Sequence, residues 1–316
     1  MTALSPLFLE SWVKFNCQRW NVRPLRLEYH PHETELPSIR AICYLDKKGR
    51  IILPPRNPYL AISFQPTPAQ RNYHIFRQWR AMASLLAAEV RQRGFSLFDL
   101  YLPPEIVDVR PWQWLGYRAA VRYTQYIDFP FHVKNTDQVF RKQVNKALRF
   151  GCTCNQTTQV RSAVACLEQT EARQNFRLSR FFPDELEMAQ TIVGEEYYRT
   201  YVCNSPDGEV TSSLVCLHAP GARAIALFFG TKADYLNTGV ARLLIQYAFQ
   251  DLEKAGSIGF DFGGVSSPHI ARAKEVLGGR LMPYYSLEDY NWRQSLRWTR
   301  NTLRAVLFPG RRPWKR

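Results

Sequence analysis

The clearest pattern of apolar and polar positions lies in the last third of the chain. Residues 224 to 229 form a short apolar run ended by Gly230, which predicts a buried strand. From Gly239 the pattern turns helical, with Val240, Leu243, Leu244, Tyr247, Ala248 and Leu252 at spacings of three and four and Gly256 as the stop. Ile258, Phe260 and Phe262 then alternate with small or polar residues, which predicts a second strand. Ser266 or Ser267 is placed to cap a further helix, with Pro268 in its first turn and Gly278-Gly279 at its end.

Upstream the pattern is more broken. Ser5-Pro6 reads as the start of a short amphipathic helix carrying Phe8, Trp12, Val13 and Trp20. Polar, proline-containing loops follow, then a strand at Ile39 to Leu45 and a turn at Lys47-Lys48-Gly49. A long helix is expected from Ala69 to Arg93, with Phe76, Trp79, Met82, Ala83, Leu86 and Val90 inward and Gly94 as its stop. Phe95 to Leu102 and Arg122 to Asp128 read as strands. Thr136-Asp137 opens a helix whose apolar side is Val139, Phe140, Val144, Ala147 and Leu148. Its other side carries Arg141, Lys142, Lys146 and Arg149.

Composition narrows the class. A chain of 316 residues, 46% hydrophobic and 14% aromatic, is globular throughout and long enough for two domains. The start lacks a basic region followed by a long apolar core, so no signal peptide is expected, and no apolar run is long enough to span a bilayer. The 7 cysteines are odd in number and without zinc-site spacing, which fits unpaired thiols in a reducing cytoplasm. His30-x-His32 is the nearest approach to a metal motif and reads as loop, so neither a metal nor a permanently bound cofactor is expected. The net charge of +15 points to an anionic partner without choosing among RNA, a membrane surface and a phosphorylated substrate.

Candidate chemistry gathers on the strand, glycine turn, helix, strand, helix order first described. A helix that opens at a glycine after a strand offers free N–H groups and a positive dipole end to phosphate. In GNAT acyltransferases this motif is Gln/Arg-x-x-Gly-x-Gly/Ala and holds the coenzyme A pyrophosphate. Gly239 and Ala241 fit its last two positions, while Leu236 stands where Gln or Arg is expected. The stretch Phe260-Asp261-Phe262-Gly263-Gly264 paired with Lys274 resembles the FemABX branch of that superfamily. So do Pro111-Trp112-x-Trp114-x-Gly116-Tyr117 with Arg122-Tyr123-Thr124, and the Arg-x-x-x-x-Lys-Ala-x-x-x-Gly pattern of Arg141, Lys146, Ala147 and Gly151.

The resemblance runs from about Pro6 to Tyr285 and implies an α/β (α+β) fold of two tandem GNAT-like domains, each a mixed sheet flanked by helices. The expected limits are 1–130 for an acceptor-side domain, 131–290 for an acyl-donor domain and 291–316 for a basic tail. Lys274 would stabilise the oxyanion of a tetrahedral intermediate, and Asp261 would position the substrate amine. Thr238, Gly239, Val240 and Ala241, with Phe228 and Phe229 on the preceding strand, form the implied donor site. Arg141 and Lys146, with Arg177 and Arg180 of a loop-like segment that also holds Arg173, are the implied substrate contacts.

Members that use a nucleotide-linked precursor carry a first-domain lysine where this chain has Asn16, and an acidic residue that aligns near Pro103. That precursor is therefore not expected. The implied activity is N-acyl transfer from acyl-CoA to an amine, in cell-wall or surface-polysaccharide metabolism. Aminoacyl-tRNA is the alternative donor, and a non-catalytic binding module the alternative class. In the tail, Arg293, Arg297, Arg300 and Arg304 form one helical stripe beside Trp292, Leu296 and Leu303, which predicts peripheral contact with an anionic membrane or with nucleic acid.

Overall fold

The computed structural model describes residues 4–30, 35–68, 71–95, 99–174, 183–265 and 267–289. The chain builds two units of the same plan. The first opens with a 3-10 turn (Pro6–Phe8), α1 (Glu10–Trp20) and four strands: β1 (Arg23–Tyr29), β2 (Ser38–Leu45), β3 (Ile51–Ile52) and β4 (Ala61–Gln65). It continues through α2 (Asn72–Arg93), β5 (Asp99–Leu102), α3 (Arg110–Trp114) and the long β6 (Tyr117–Asp128). The second comprises α4 (Gln138–Arg149), β7 (Thr153–Gln156), α5 (Val164–Gln174), α6 (Pro183–Val193), β8 (Tyr198–Asn204), β9 (Val210–Leu217) and β10 (Arg223–Thr231). It closes with α7 (Val240–Lys254), β11 (Gly259–Asp261), α8 (Pro268–Glu275) and β12 (Arg280–Asp289).

The plan repeats as strand, helix, strand, short helix, long strand: β4–α2–β5–α3–β6, then β10–α7–β11–α8–β12. The two units exchange their long last strands. β6 of the first pairs with β11 of the second, β12 of the second pairs with β5 of the first, and β6 and β12 pair with each other over ten residues. An eight-stranded sheet results, in the order β5-β12-β6-β11-β10-β9-β8-β7, beside a smaller sheet of β1 to β4. β5 and β6, which precede residue 130, are therefore strands of the same sheet as β7 to β11.

Three apolar clusters hold these layers. α2 lays Trp79, Ala83, Leu86 and Val90 on Ile39, Ala41 and Cys43 of β2. α1 covers the opposite face of β2, where Trp12 and Phe15 meet Tyr44, Leu186 of α6 and Leu217 of β9. α4 and α7 cover the second unit, with Phe140, Leu244 and Phe249 over Tyr201, Ala224 and Phe260. Fully burying an aromatic such as Phe249 contributes roughly 1.5–3 kcal/mol. A bidentate ion pair between Arg56 and Glu185 (Nε–Oε1 2.5 Å, Nη2–Oε2 2.9 Å) joins the units in the interior. Removing one partner would leave the other charge buried and uncompensated.

Several expectations from the sequence need correction. Phe76 is 55% exposed, whereas Trp79, three residues on, packs edge-to-face on Phe64 of β4. Val139 and Leu148 likewise face solvent on α4. Arg173 lies in the last turn of α5 rather than in a loop, and Arg177, Arg180 and the tail 290–316 lie outside the described residues. β1 and β12 were not anticipated. No helix among the described residues is long and apolar enough to cross a membrane.

Candidate active site at the parting of two strands

β10 and β11 run parallel over three residue pairs, Arg223 to Ile225 against Gly259 to Asp261, and then separate. β10 continues along β9 past an irregularity at Ala226 to Phe228. The chain leaving β11 bends the other way, onto β6, where Phe262 N donates to the Gln125 carbonyl (3.2 Å) and Val265 N to the Tyr123 carbonyl (2.8 Å). Gly263 and Gly264 make this bend, with φ of +69° and +136°. Side chains rarely adopt such angles, which is why glycines occupy the turn.

Asp261 ends β11 and is 2% exposed. Its carboxylate accepts from the Thr124 hydroxyl (2.6 Å) and from Gly263 N (2.9 Å), and Thr124 Oγ1 in turn accepts from Gly264 N (3.1 Å). One carboxylate and one hydroxyl thus hold both amides of the glycine turn. Burial pushes the Asp261 carboxyl up to about 6, against the lowering effect of these hydrogen bonds. The Tyr59 hydroxyl is buried near Asp261 and Thr124 and closes no hydrogen bond of normal geometry.

Lys274 folds back over the same turn. Ser267 caps α8 by accepting from Ile270 N (3.3 Å), which sets the helix axis. From its last turn, Lys274 Nζ donates to the carbonyls of Phe262 (3.1 Å) and Gly264 (2.5 Å) and sits 4.9 Å over the Phe262 ring. Burial pushes its pKa down to about 8, while the charge of Asp261 opposes that fall. Asp261 therefore acts on Lys274 at a distance, by charge and by fixing the turn whose carbonyl Lys274 holds. Its contacts place it as the cap of that turn.

The rest of the implied donor site lies at the start of α7. Gly239 is the N-cap residue with φ of +90°, and no side chain caps the helix. A Cβ added there would lie 2.0 Å from the Gln143 carbonyl oxygen of α4. The glycine thus gives two helices room for backbone contact. Val240 is buried, Ala241 half-buried, and the Thr238 hydroxyl donates to the Tyr235 carbonyl (2.7 Å). Lys146 reaches this turn from α4, donating to the Asn237 carbonyl (2.7 Å), whereas Arg141 turns away to the Lys134 carbonyl (3.0 Å). Phe228 lies under the Arg56 guanidinium at 4.6 Å, and Phe229 is 40% exposed.

Among the described residues, the first unit shows no such site. After β5 the chain reads Pro103-Pro104-Glu105 where β11 is followed by Phe262-Gly263-Gly264, and prolines have no N–H to give. Glu105 instead accepts from the Tyr126 hydroxyl (2.9 Å). Asn16 is buried, its amide bonded to the Trp12 carbonyl, Tyr44 and Asn57. Thr124 and Tyr126 fall within the expected strand Arg122 to Asp128 with no role assigned to either, and no sequence signal marks Tyr59 or Glu105. Among the described residues, no group of three or more His, Cys, Asp or Glu is placed to hold a metal ion.

No family model matches the chain, and no curated protein matches its sequence. Solved structures do. FemX superposes with a TM-score of 0.65 at 11% identity, covering 93% of this chain and 94% of that one. The chain has a FemABX-like, GNAT-type fold. L-PGS from Bacillus licheniformis matches with a TM-score of 0.54 at 12% identity, over 95% of this chain and 98% of that one. The C-terminal domain of a putative lysylphosphatidylglycerol synthetase from Agrobacterium fabrum gives 0.53 at 16% identity, over 84% and 85%. At these identities the likeness is one of fold, carried by the repeated two-unit plan.

Proposed function

We propose that this chain is an acyl- or aminoacyltransferase that moves a carbonyl-activated group onto an amine. One observation carries the reading: a partly dehydrated ammonium, Lys274, is held over the point where β10 and β11 part. The acceptor amine attacks the donor carbonyl, and negative charge develops on its oxygen. Two N–H groups of Lys274 are committed to backbone carbonyls, and the third is the donor to that oxyanion. Collapse expels the donor's carrier as an alcohol or thiol, which takes up the proton the amine gives up. A charge fixed before the reaction costs no reorganisation during it, which is why such groups are effective. Burial weakens the charge but does not abolish it, since a pKa of about 8 leaves the ammonium predominant at neutral pH.

Of the two donors, aminoacyl-tRNA is better supported than acyl-CoA. The Gly239 turn is closed by α4, so its glycine is accounted for without a pyrophosphate. The charge of +15 suits a polyanionic carrier. One structure of similar fold is a domain of a putative lysylphosphatidylglycerol synthetase, and lysylphosphatidylglycerol is an aminoacylated lipid. Cell-wall peptides and amino sugars are the acceptors to screen first.

The test is label transfer from charged tRNA, and separately from acyl-CoAs, to these amines by wild type and Lys274→Met. Transfer should require charged tRNA, and the variant should lose about two to three orders of magnitude in turnover. Its donor affinity should stay within about twofold. Wild-type turnover in the variant would remove Lys274 from the chemistry, and transfer from acyl-CoA alone would reverse the choice of donor.

A further inference from the structure

A surface of the first unit, remote in sequence from the site, combines exposed apolar side chains with arginines. Tyr73 and Phe76 on α2 are 45% and 55% exposed, and Val107 before α3 and Trp114 at its end are 70% and 60% exposed. The two pairs stand on elements that are joined through Asp108, whose carbonyl accepts from Trp79 of α2 and whose carboxylate binds Arg110 of α3. Arg71 donates to the Tyr73 hydroxyl (3.3 Å), and the Arg77 guanidinium lies 5.5 Å from the Tyr73 ring. Arg80, one turn beyond Phe76, faces Asp108 and helps Arg110 hold that carboxyl below its ordinary value. Arg110 binds Asp108 through two hydrogen bonds of 2.8 Å and lies 5.9 Å from the Trp114 ring. Trp79 Nε1, bonded to the Asp108 carbonyl (2.9 Å), fixes this loop to α2.

We propose that Phe76, Val107 and Trp114, with Arg71, Arg77, Arg80 and Arg110, form a docking surface for an anionic lipid membrane. The side chains sort by chemistry. Four arginines outnumber the acids of this loop, Asp108, which Arg110 already neutralises, and Glu105, which accepts from the Tyr126 hydroxyl, so the surface is net positive and its partner negative. The apolar members include an aliphatic residue, Val107, the most exposed of the four. Stacking on nucleic-acid bases uses aromatic faces and gives no place to a valine. The boundary between headgroups and acyl chains takes up valine, phenylalanine and tryptophan alike, with arginines at the headgroup level. Leaving such groups in water has a cost that insertion removes. The surface lies within residues 71–114 and is independent both of the basic tail and of the proposed transfer chemistry.

Flotation of the full chain with vesicles containing phosphatidylglycerol, and with pure phosphatidylcholine, tests the surface. Wild type should bind only the anionic vesicles, and binding should weaken with salt. Arg77→Gln and Arg80→Gln should each weaken binding about fivefold, as expected for one cation near the headgroups. Phe76→Ser with Trp114→Ala should weaken it at least tenfold. Both residues are solvent-facing, so folding should be unaffected, as checked by circular dichroism. The conservative Trp114→Phe variant should still bind but lose a component of the tryptophan quenching given by brominated phosphatidylcholine in the same vesicles. Identical quenching in wild type and Trp114→Phe would overturn the proposal, as would unaltered binding by all the patch variants, which would assign attachment to another segment. Patch-dependent binding to RNA with none to vesicles would overturn it as well.

Discussion

Two junctions in this molecule look alike in sequence, each a strand followed by glycine and then a helix, yet they use the glycine for different ends. At the start of α7, Gly239 is buried and pressed on α4, and any Cβ would collide with the Gln143 carbonyl. After β11, a Cβ on Gly263 would meet only the Ala226 carbonyl at 3.4 Å, and one on Gly264 only the Tyr284 hydroxyl at 3.9 Å. The first glycine is needed for room and the second pair for conformation. Only the second junction then has backbone to spare for organising side chains, and there Asp261, Thr124 and Lys274 converge. A glycine before a helix fixes a backbone geometry; whether a ligand can reach that geometry depends on what packs against it.

The sharpest way to break this comparison is to add one methyl group at each junction. Gly239→Ala combines an unfavourable positive φ with a backbone collision at 2.0 Å, and α4 or α7 must shift to relieve it. A loss of roughly 3 kcal/mol or more is expected. Gly264→Ala makes only an ordinary contact with the Tyr284 hydroxyl at 3.9 Å, so its cost is the conformational strain alone, about 1–3 kcal/mol. Its effect should appear in turnover, because the Gly264 carbonyl holds Lys274. Urea unfolding of the two variants checks this, and equal midpoints would mean that α4 does not close the first junction.

The sequence was most legible where one element explained its own pattern. The run 224–229, the 3.6-residue spacing after Gly239 and the cap at Ser267 gave β10, α7 and α8 nearly at their observed limits. β12 escaped because Pro283 and the adjacent Tyr284-Tyr285 break any alternation. The proline is tolerated because β5 covers only Tyr285 to Glu288, which leaves β12 with an open edge at Pro283. The site was half legible for a related reason. Lys274 and Asp261 sit near the glycine turn in sequence, whereas Thr124, which completes the network, arrives from 137 residues upstream on an exchanged strand. No local pattern announces a pairing of that separation, just as none announced that α4 would cover Gly239.

A smaller change probes the second junction from within. Thr124→Val keeps the shape of a fully buried side chain and removes the hydroxyl that bridges Asp261 to Gly264 N. An orphaned buried N–H costs about 1–3 kcal/mol, so a moderate fall in unfolding midpoint is expected. Turnover should fall several-fold while donor affinity holds, because the turn under Lys274 loosens. Loss of stability without any change in turnover would mean that the network is structural only.

The finest test separates the charge of Asp261 from its hydrogen bonds. Asn in its place keeps an oxygen for Gly263 N and for the Thr124 hydroxyl, so the turn survives, but the negative charge is gone. That charge raises the Lys274 pKa against the larger effect of burial. In wild type, turnover that needs the ammonium should fall as pH rises through about 8. In Asp261→Asn this alkaline limb should move to lower pH, with the plateau nearly unchanged. Stability supplies an independent reading. The folded carboxyl titrates at about 6 against an ordinary 3.8, so the folded state holds the proton more tightly. The stabilisation this provides is complete below 3.8 and is lost as pH rises through about 6. Wild type should therefore lose stability across that window relative to Asp261→Asn, which has no proton to release. A variant with an unmoved alkaline limb and the same stability profile would show that Asp261 acts through hydrogen bonds alone.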